Sequence, residues 1–241
     1  MQLPDFRCDG RVALITGSGR GIGLAMARTL AAAGAAVAIH DIERDVADRE
    51  AAAINKAGGK AEAFGGDVTD LAIADVLADA VRERLGPIDI LINNASVQGG
   101  GVFLEATVEE MTRQLNANVL FVTRLTQCVV PAMMAKRWGR IIHLGSIQGR
   151  GGNAGMPAYA MSKAAMENLT HGLGRHLAKF DTYRNQHDLG IAANKADAGR
   201  RIPLGRVGEP EDCAGVTLLL CSRAGEYVTG QIIRVDGGMS A

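Results

Sequence analysis

Val12-Ala13-Leu14-Ile15 runs directly into Thr16-Gly17-Ser18-Gly19-Arg20-Gly21-Ile22-Gly23, and the reading of this stretch decides the fold. The four apolar residues read as a strand covered on both faces, as strands of a parallel sheet are. The glycines allow a sharp turn, after which Leu24, Ala27, Leu30 and Ala31 recur at helical spacing. Strand, glycine turn and helix in that order make an anion cradle. The backbone can approach a pyrophosphate closely, and the helix N-terminus offers unpaired N–H groups and a favourable dipole. Glycines alone would serve a plain tight turn equally well, so the order carries the reading.

The same alternation continues outward. Ala36-Val37-Ala38-Ile39 reads as a second strand and Ala61-Glu62-Ala63-Phe64 as a shorter third. An amphipathic helix is expected over 71–85, a fourth strand over 88–92, and a long helix from about Val108 to Met134. The strand Arg140-Ile141-Ile142-His143-Leu144 follows, then a helix from Tyr159 towards Lys179, a helix over 211–220 and a last strand over 231–235. Strands alternating with helices predict an α/β fold with a parallel sheet and helices on both faces. No low-complexity tract or linker divides the chain, so one domain over 1–241 is expected.

Ligands of such sheets bind beyond the carboxyl ends of the strands. Asp41 closes the second strand, at about the ~20-residue interval where an acidic group meets the adenosine ribose. A carboxylate there accepts from the 2′- and 3′-hydroxyls and repels a 2′-phosphate, which favours NAD over NADP. Arg20 and Arg44 argue the other way, since either could reach a 2′-phosphate. Gly66-Asp67-Val68 follows the third strand, where Asp67 could hold the adenine amino group. Asn93-Asn94-Ala95 follows the fourth, with small and amide side chains suited to a passing cofactor.

Tyr159 and Lys163 stand at i and i+4 on a helical pattern, on one face and one turn apart. A free phenol has a pKa of about 10. A nearby ammonium, helped by a cationic nicotinamide, stabilises the phenolate, so that Tyr159 could exchange a proton with an alcohol or carbonyl oxygen. Ser146, at the end of the strand through His143, could hydrogen-bond the same oxygen. Taken singly, these are a surface pair and a turn residue.

Together these motifs resemble the short-chain dehydrogenase/reductase family in its single-domain form. The resemblance rests on Thr16 to Gly23, Asp67-Val68, Asn93-Asn94-Ala95, Ser146, Tyr159, Lys163 and Val235-Asp236-Gly237-Gly238, and covers nearly the whole chain. It implies a three-layer, Rossmann-type, doubly wound sheet and a Ser-Tyr-Lys active site. It also implies an Asn on the long central helix that anchors a water in a proton relay. Asn116 and Asn118 are both candidates; the spacing to Pro131 resembles the family's for Asn118. Lys163 would also bind the nicotinamide ribose, and the assembly would be a homotetramer built through the two long helices, or a homodimer. Ser96 departs from the glycine that usually follows Asn-Asn-Ala.

A larger departure follows Phe180. Family members place a buried apolar strand there and then a Pro-Gly, whereas this chain reads Asp181-Thr182-Tyr183-Arg184-Asn185-Gln186-His187-Asp188. Such a run is too polar for a central strand. The favoured expectation is that the strand is missing and that Asp181-Thr182 opens the substrate loop, with Thr182 on the nicotinamide amide. The alternative makes Gly190-Ile191-Ala192-Ala193-Asn194 a degenerate strand.

Equal numbers of basic and acidic residues, 26 each, give no reason to expect nucleic acid or anionic lipid as partner. Cys8, Cys128, Cys213 and Cys221 are scattered without metal-ligand spacing, so no metal is expected and the thiols read as reduced. Pro4, Asp5, Arg7 and Asp9 interrupt any signal-peptide pattern, and no uninterrupted apolar run reaches the ~20 residues of a membrane span. A cytoplasmic protein is expected. The leading expectation is an NAD-dependent oxidoreductase moving a hydride between nicotinamide and a secondary alcohol or ketone: a sugar, polyol or hydroxy acid. Ser146, Gln148 and Tyr159 are expected to face that substrate, with Gln98, Asn153 and Met156 as further candidates. An NADPH-dependent 3-oxoacyl-type reductase and a non-catalytic dinucleotide-binding protein are the alternatives.

Overall fold

The computed structural model describes residues 5–180, 182–189 and 202–240, the strand at 182–189 by its backbone. Seven parallel strands form one sheet in the order β3-β2-β1-β4-β5-β6-β7. They are β1 Val12–Ile15, β2 Ala36–Asp41, β3 Lys60–Gly65, β4 Ile90–Asn93, β5 Gly139–Ser146, β6 Thr182–Leu189 and β7 Ile232–Val235. The helices are α1 Gly21–Ala32, α2 Arg44–Lys56, α3 Ile73–Leu85, α4 Val108–Leu115, α5 Val122–Lys136, the single turn α6 Gln148–Gly151, α7 Pro157–Leu177 and α8 Ala214–Cys221. The order reverses between β1 and β4, which opens a crevice at their carboxyl ends.

Alternation along the strands explains the two cores. Ala13, Ile15, Val37, Ile39, Ile90 and Ile92 point to one face, against Met26 and Leu30 of α1, Ala47 and Ile54 of α2 and Leu220 of α8. Val12, Leu14, Ala38, Leu91 and Ile141 point to the other, against Leu77 and Val81 of α3 and Leu125, Val129 and Met133 of α5. Each fully buried aliphatic side chain here stabilises the fold by about 1.5–3 kcal/mol.

A π turn, Asn116–Phe121, joins α4 to α5 in one run. Val108–Lys136 is long and apolar enough, by length and composition, to cross a membrane. Its apolar residues Ala117, Phe121, Leu125 and Val129 are instead packed on the sheet, as those of a core helix are. Helix α2 was not anticipated, although Val46, Ala47, Ala51 and Ile54 give it a buried stripe.

The segment after Phe180 corrects the expectation of a missing strand. Thr182–Leu189 is itself the strand between β5 and β7, pairing with Gly139–Ser146 along its whole length and with Ile232–Val235 at its end. Without it, β5 and β7 would both present unpaired edges inside the sheet. Backbone pairing on two sides outweighs an unfavourable sequence. Thr182 is consequently not in a substrate loop. It pairs with Gly139, at the opposite end of β5 from Ser146, and cannot meet a nicotinamide at the carboxyl ends. The alternative strand at 190–194 lies outside the described residues.

Tyr183 to Asp188 bring few apolar groups to a position that central parallel strands fill with Val, Ile and Leu. Their amides should therefore exchange with solvent at least on the order of a hundredfold faster than those of β4 in native-state hydrogen exchange. Equal protection of the two strands would show that β6 is as firmly held as its neighbours.

Candidate active site

The nucleotide end is built from the carboxyl ends of β1, β2, β3 and β4. Gly17 has φ +62, and a Cβ there would stand 2.9 Å from the Ala95 Cα. A Cβ on Gly23 would lie 2.5 Å from the Gly17 carbonyl oxygen. Both positions need glycine. Asn94 fastens this turn, its Nδ2 donating to the Thr16 and Gly17 carbonyls at 2.9 and 2.8 Å. Thr16 Oγ1 in turn accepts from the N–H groups of Asn94 and Ala95, both at 3.1 Å. Ser18 is fully buried, its hydroxyl donating to the Ile15 carbonyl at 2.7 Å, so it builds the turn rather than lining the cleft. Helix α1 starts after an extended Arg20 with no side-chain cap and no acidic residue in its first turn. Its N-terminal N–H groups are left for an anion.

Asp41 is 5% exposed, so its carboxylate is largely desolvated. Its Oδ2 accepts from Gly19 N at 3.2 Å and its Oδ1 from Glu43 N at 3.1 Å. Arg20 pairs with Glu43 at 2.5 Å and reaches Asp41 at 3.7 Å, while Arg44 pairs with Asp48 at 3.1 Å. Both arginines are thus already engaged by carboxylates. A cleft of about 420 Å³ is lined by Gly17, Arg20, Asp41, Asp67, Val68, Asn94 and Ala95, together with His40, which the sequence reading passed over. The only hint was its polarity on an apolar strand. Burial pushes the His40 imidazole down to about 4, against the opposing pull of Asp41, so the ring is neutral near pH 7. These residues fit a dinucleotide. The cleft, the glycine turn and the uncapped helix are contiguous, and the carboxylate stands beside them.

The second cluster lies at the carboxyl end of β5 and the start of α7. Ser146 ends β5 and is buried, its Oγ accepting from Gln148 N at 3.2 Å. Pro157 begins α7, as its fixed φ favours, and Tyr159 and Lys163 follow one turn apart, both buried. Lys163 Nζ donates to the Leu144 carbonyl at 2.7 Å and stands 5.5 Å from the Tyr159 ring centroid. The ammonium is thus held on β5 beside the phenol. Asn118 sits in the π turn, a distortion frequent at functional sites. Its Nδ2 donates to the Val97 carbonyl at 2.8 Å and to Ser162 Oγ at 3.0 Å. Its Oδ1 accepts from Val97 N at 2.8 Å and Ser96 Oγ at 3.1 Å. Asn118 therefore ties the loop after β4 to α7 beside Lys163. Asn116, in the same turn, is half-buried. Gln148 accepts from Asn153 Nδ2 at 2.9 Å, whereas Gln98 is exposed.

Burial pushes the Cys8 and Cys213 thiols up to about 11 and Cys221 well above its usual range, which leaves them protonated and inert. Among the described residues no three His, Cys, Asp or Glu side chains gather as a metal site.

Comparison with known proteins accords with this arrangement. A family model described as enoyl-(acyl carrier protein) reductase matches residues 17–240. Sorbitol dehydrogenase of Cereibacter sphaeroides is 37% identical, over 97% of this chain and 98% of that protein. A 3-oxoacyl-[acyl-carrier-protein] reductase of Aquifex aeolicus is 33% identical, over 98% and 99% of the two chains. The crystal structure of a gluconate 5-dehydrogenase from Burkholderia cenocepacia, in complex with NADP and tartrate, superposes with a TM-score of 0.92 at 34% identity over 98% of each chain.

Proposed function

Because the chain belongs to the short-chain dehydrogenase/reductase family, we propose that it is an NAD-dependent oxidoreductase interconverting a secondary alcohol and its ketone. Residues 1–241 act as one dinucleotide-binding and catalytic domain. The observation that carries the reading is the buried Tyr159–Lys163 pair, with the ammonium tethered to β5 just before Ser146.

The bound dinucleotide supplies the hydride acceptor or donor. The backbone of Gly17, Ser18, Gly19, Arg20, Gly21, Ile22 and Gly23 would cradle the pyrophosphate at the start of α1. Asp41 would accept from the adenosine ribose hydroxyls, and Asp67 and Val68 would receive the adenine. Asn94 and Ala95 would lie beside the nicotinamide ribose, which Lys163 would hold. In ketone reduction Ser146 Oγ donates a hydrogen bond to the substrate oxygen and Tyr159 delivers a proton to it. In alcohol oxidation the Tyr159 phenolate takes that proton back, stabilised by the Lys163 ammonium. Asn118 keeps the turn and α7 in register for the proton relay. Gln148, beside Ser146, contacts the substrate.

A polyol, sugar or hydroxy acid is the proposed substrate class, by similarity to sorbitol dehydrogenase and gluconate 5-dehydrogenase. NAD is proposed because the Asp41 carboxylate lines the cleft, with Arg20 paired to Glu43 and Asp41 and Arg44 to Asp48, although the similar gluconate 5-dehydrogenase carries NADP. Similarity to 3-oxoacyl-[acyl-carrier-protein] reductase supports a second reading, an NADPH-dependent reductase of oxoacyl substrates. The exposed Leu120 and Met161 on the long helices suit a homotetramer or homodimer. A cytoplasmic setting agrees with four free thiols.

Absorbance at 340 nm tests the function across sugars, polyols, hydroxy acids, hydroxysteroids and oxoacyl thioesters, with both cofactors. Turnover of a secondary alcohol with NAD is expected. Cofactor binding without turnover in either direction would favour a non-catalytic role, and selective NADPH turnover of an oxoacyl thioester the second reading.

A further inference from the structure

His40 is a buried polar side chain of this cleft that the catalytic reading does not use. It is 1% exposed at the end of β2, and it reaches both turns that flank the purine side of the cleft. Nδ1 lies 3.5 Å from Gly17 N, the N–H at the head of the glycine turn. Nε2 faces Gly66, where a hydrogen bond with the backbone works against the downward push of burial, and it stands 3.4 Å from where a Cβ on Gly66 would be. The backbone on either side is fixed: His40 N donates to Ser18 Oγ at 3.1 Å, and Ser18 N donates to the His40 carbonyl at 2.7 Å. The ring therefore has little freedom to turn. With Gly17 N–H donating to Nδ1, the neutral imidazole carries its proton on Nε2.

We propose that His40 is a positioning residue for the adenosine half of the dinucleotide: Nδ1, accepting from Gly17 N–H, holds the glycine turn at the purine side of the cleft. Asp41 is the charged neighbour of the ring. His40 touches neither the hydride nor the proton path, so it acts on affinity and leaves the chemical step alone. This rests on the dinucleotide reading above.

The two ring nitrogens can be separated by amide substitutions. In His40→Asn the amide oxygen falls near Nδ1 and still accepts from Gly17 N–H. In His40→Gln the amide extends towards Nε2 and that acceptor is lost. Calorimetric titration with NAD and with ADP-ribose should give His40→Asn a Kd within about threefold of the parent protein. His40→Gln should bind both ligands about tenfold more weakly, the range a single hydrogen bond spans. Turnover at saturating NAD should be unchanged in both variants, and so should turnover with nicotinamide mononucleotide, which lacks the adenosine half. Equal affinity in His40→Gln and the parent protein would overturn the proposal. An equal loss in His40→Asn, or a matching loss with nicotinamide mononucleotide, would do the same. If the parent protein bound neither NAD nor ADP-ribose, the dinucleotide reading itself would fail, an outcome distinct from these.

Discussion

Tyr159→Phe should lower kcat by about 10²–10⁴-fold, the range a positioned general acid–base supplies, while NAD affinity changes less than about twofold. The ring is buried at the start of α7, so losing one hydroxyl leaves the apolar packing of the phenyl group in place. What disappears is the group proposed to give and take the proton. Lys163 remains on the Leu144 carbonyl and Ser146 remains at the end of β5. The expected signature is a fall in kcat and kcat/KM together, as when an interaction made in the transition state is removed. Steady-state kinetics with calorimetry of NAD binding check it. A Phe variant that kept its turnover would remove Tyr159 from the proton path.

Asp41→Ser should shift cofactor preference towards NADP by about 10²-fold or more. The buried carboxylate lines the cleft proposed for the adenosine ribose, and like charges brought together at a binding site cost several kcal/mol. Serine removes that repulsion and keeps a hydroxyl for the ribose. NAD binding should weaken as well, because Asp41 Oδ2 also accepts from Gly19 N. Arg20, freed of one of its two carboxylates, then has a phosphate within the same cleft. The ratio of the two dissociation constants is the quantity to measure. Tighter binding of NADP than of NAD by the unaltered protein would contradict the role given to Asp41.

The parts of the site legible in the sequence are those set by short-range rules. Gly17 and Gly23 are required by local backbone geometry, while Asp41 is singled out by its place at a strand end and Tyr159 and Lys163 by the pitch of one helix. Their convergence follows from a parallel sheet, which gathers all its carboxyl ends on one side. The legible part ends where long-range pairing overrides composition. Thr182–Leu189 carries no apolar pattern, yet the gap between β5 and β7 draws it in as a strand. That moves Thr182 away from the site, since strand direction places it beside Gly139. His40 was missed for another reason. A polar residue on a strand has no motif, and its ties to Gly17 and Gly66 join turns far apart in the chain. Asn118 was separable from Asn116 by spacing alone, and its ties to Val97 and Ser162 give that choice a geometry.

The central claim is that a hydride leaves the carbinol carbon for the nicotinamide while Tyr159 handles the proton. A secondary alcohol found to be turned over, labelled with deuterium at that carbon, tests it directly. Mass spectrometry of the reduced cofactor should find one deuterium per turnover, carried on the nicotinamide ring, with none lost to solvent. Label released into water, or an unlabelled reduced cofactor, would contradict direct hydride transfer.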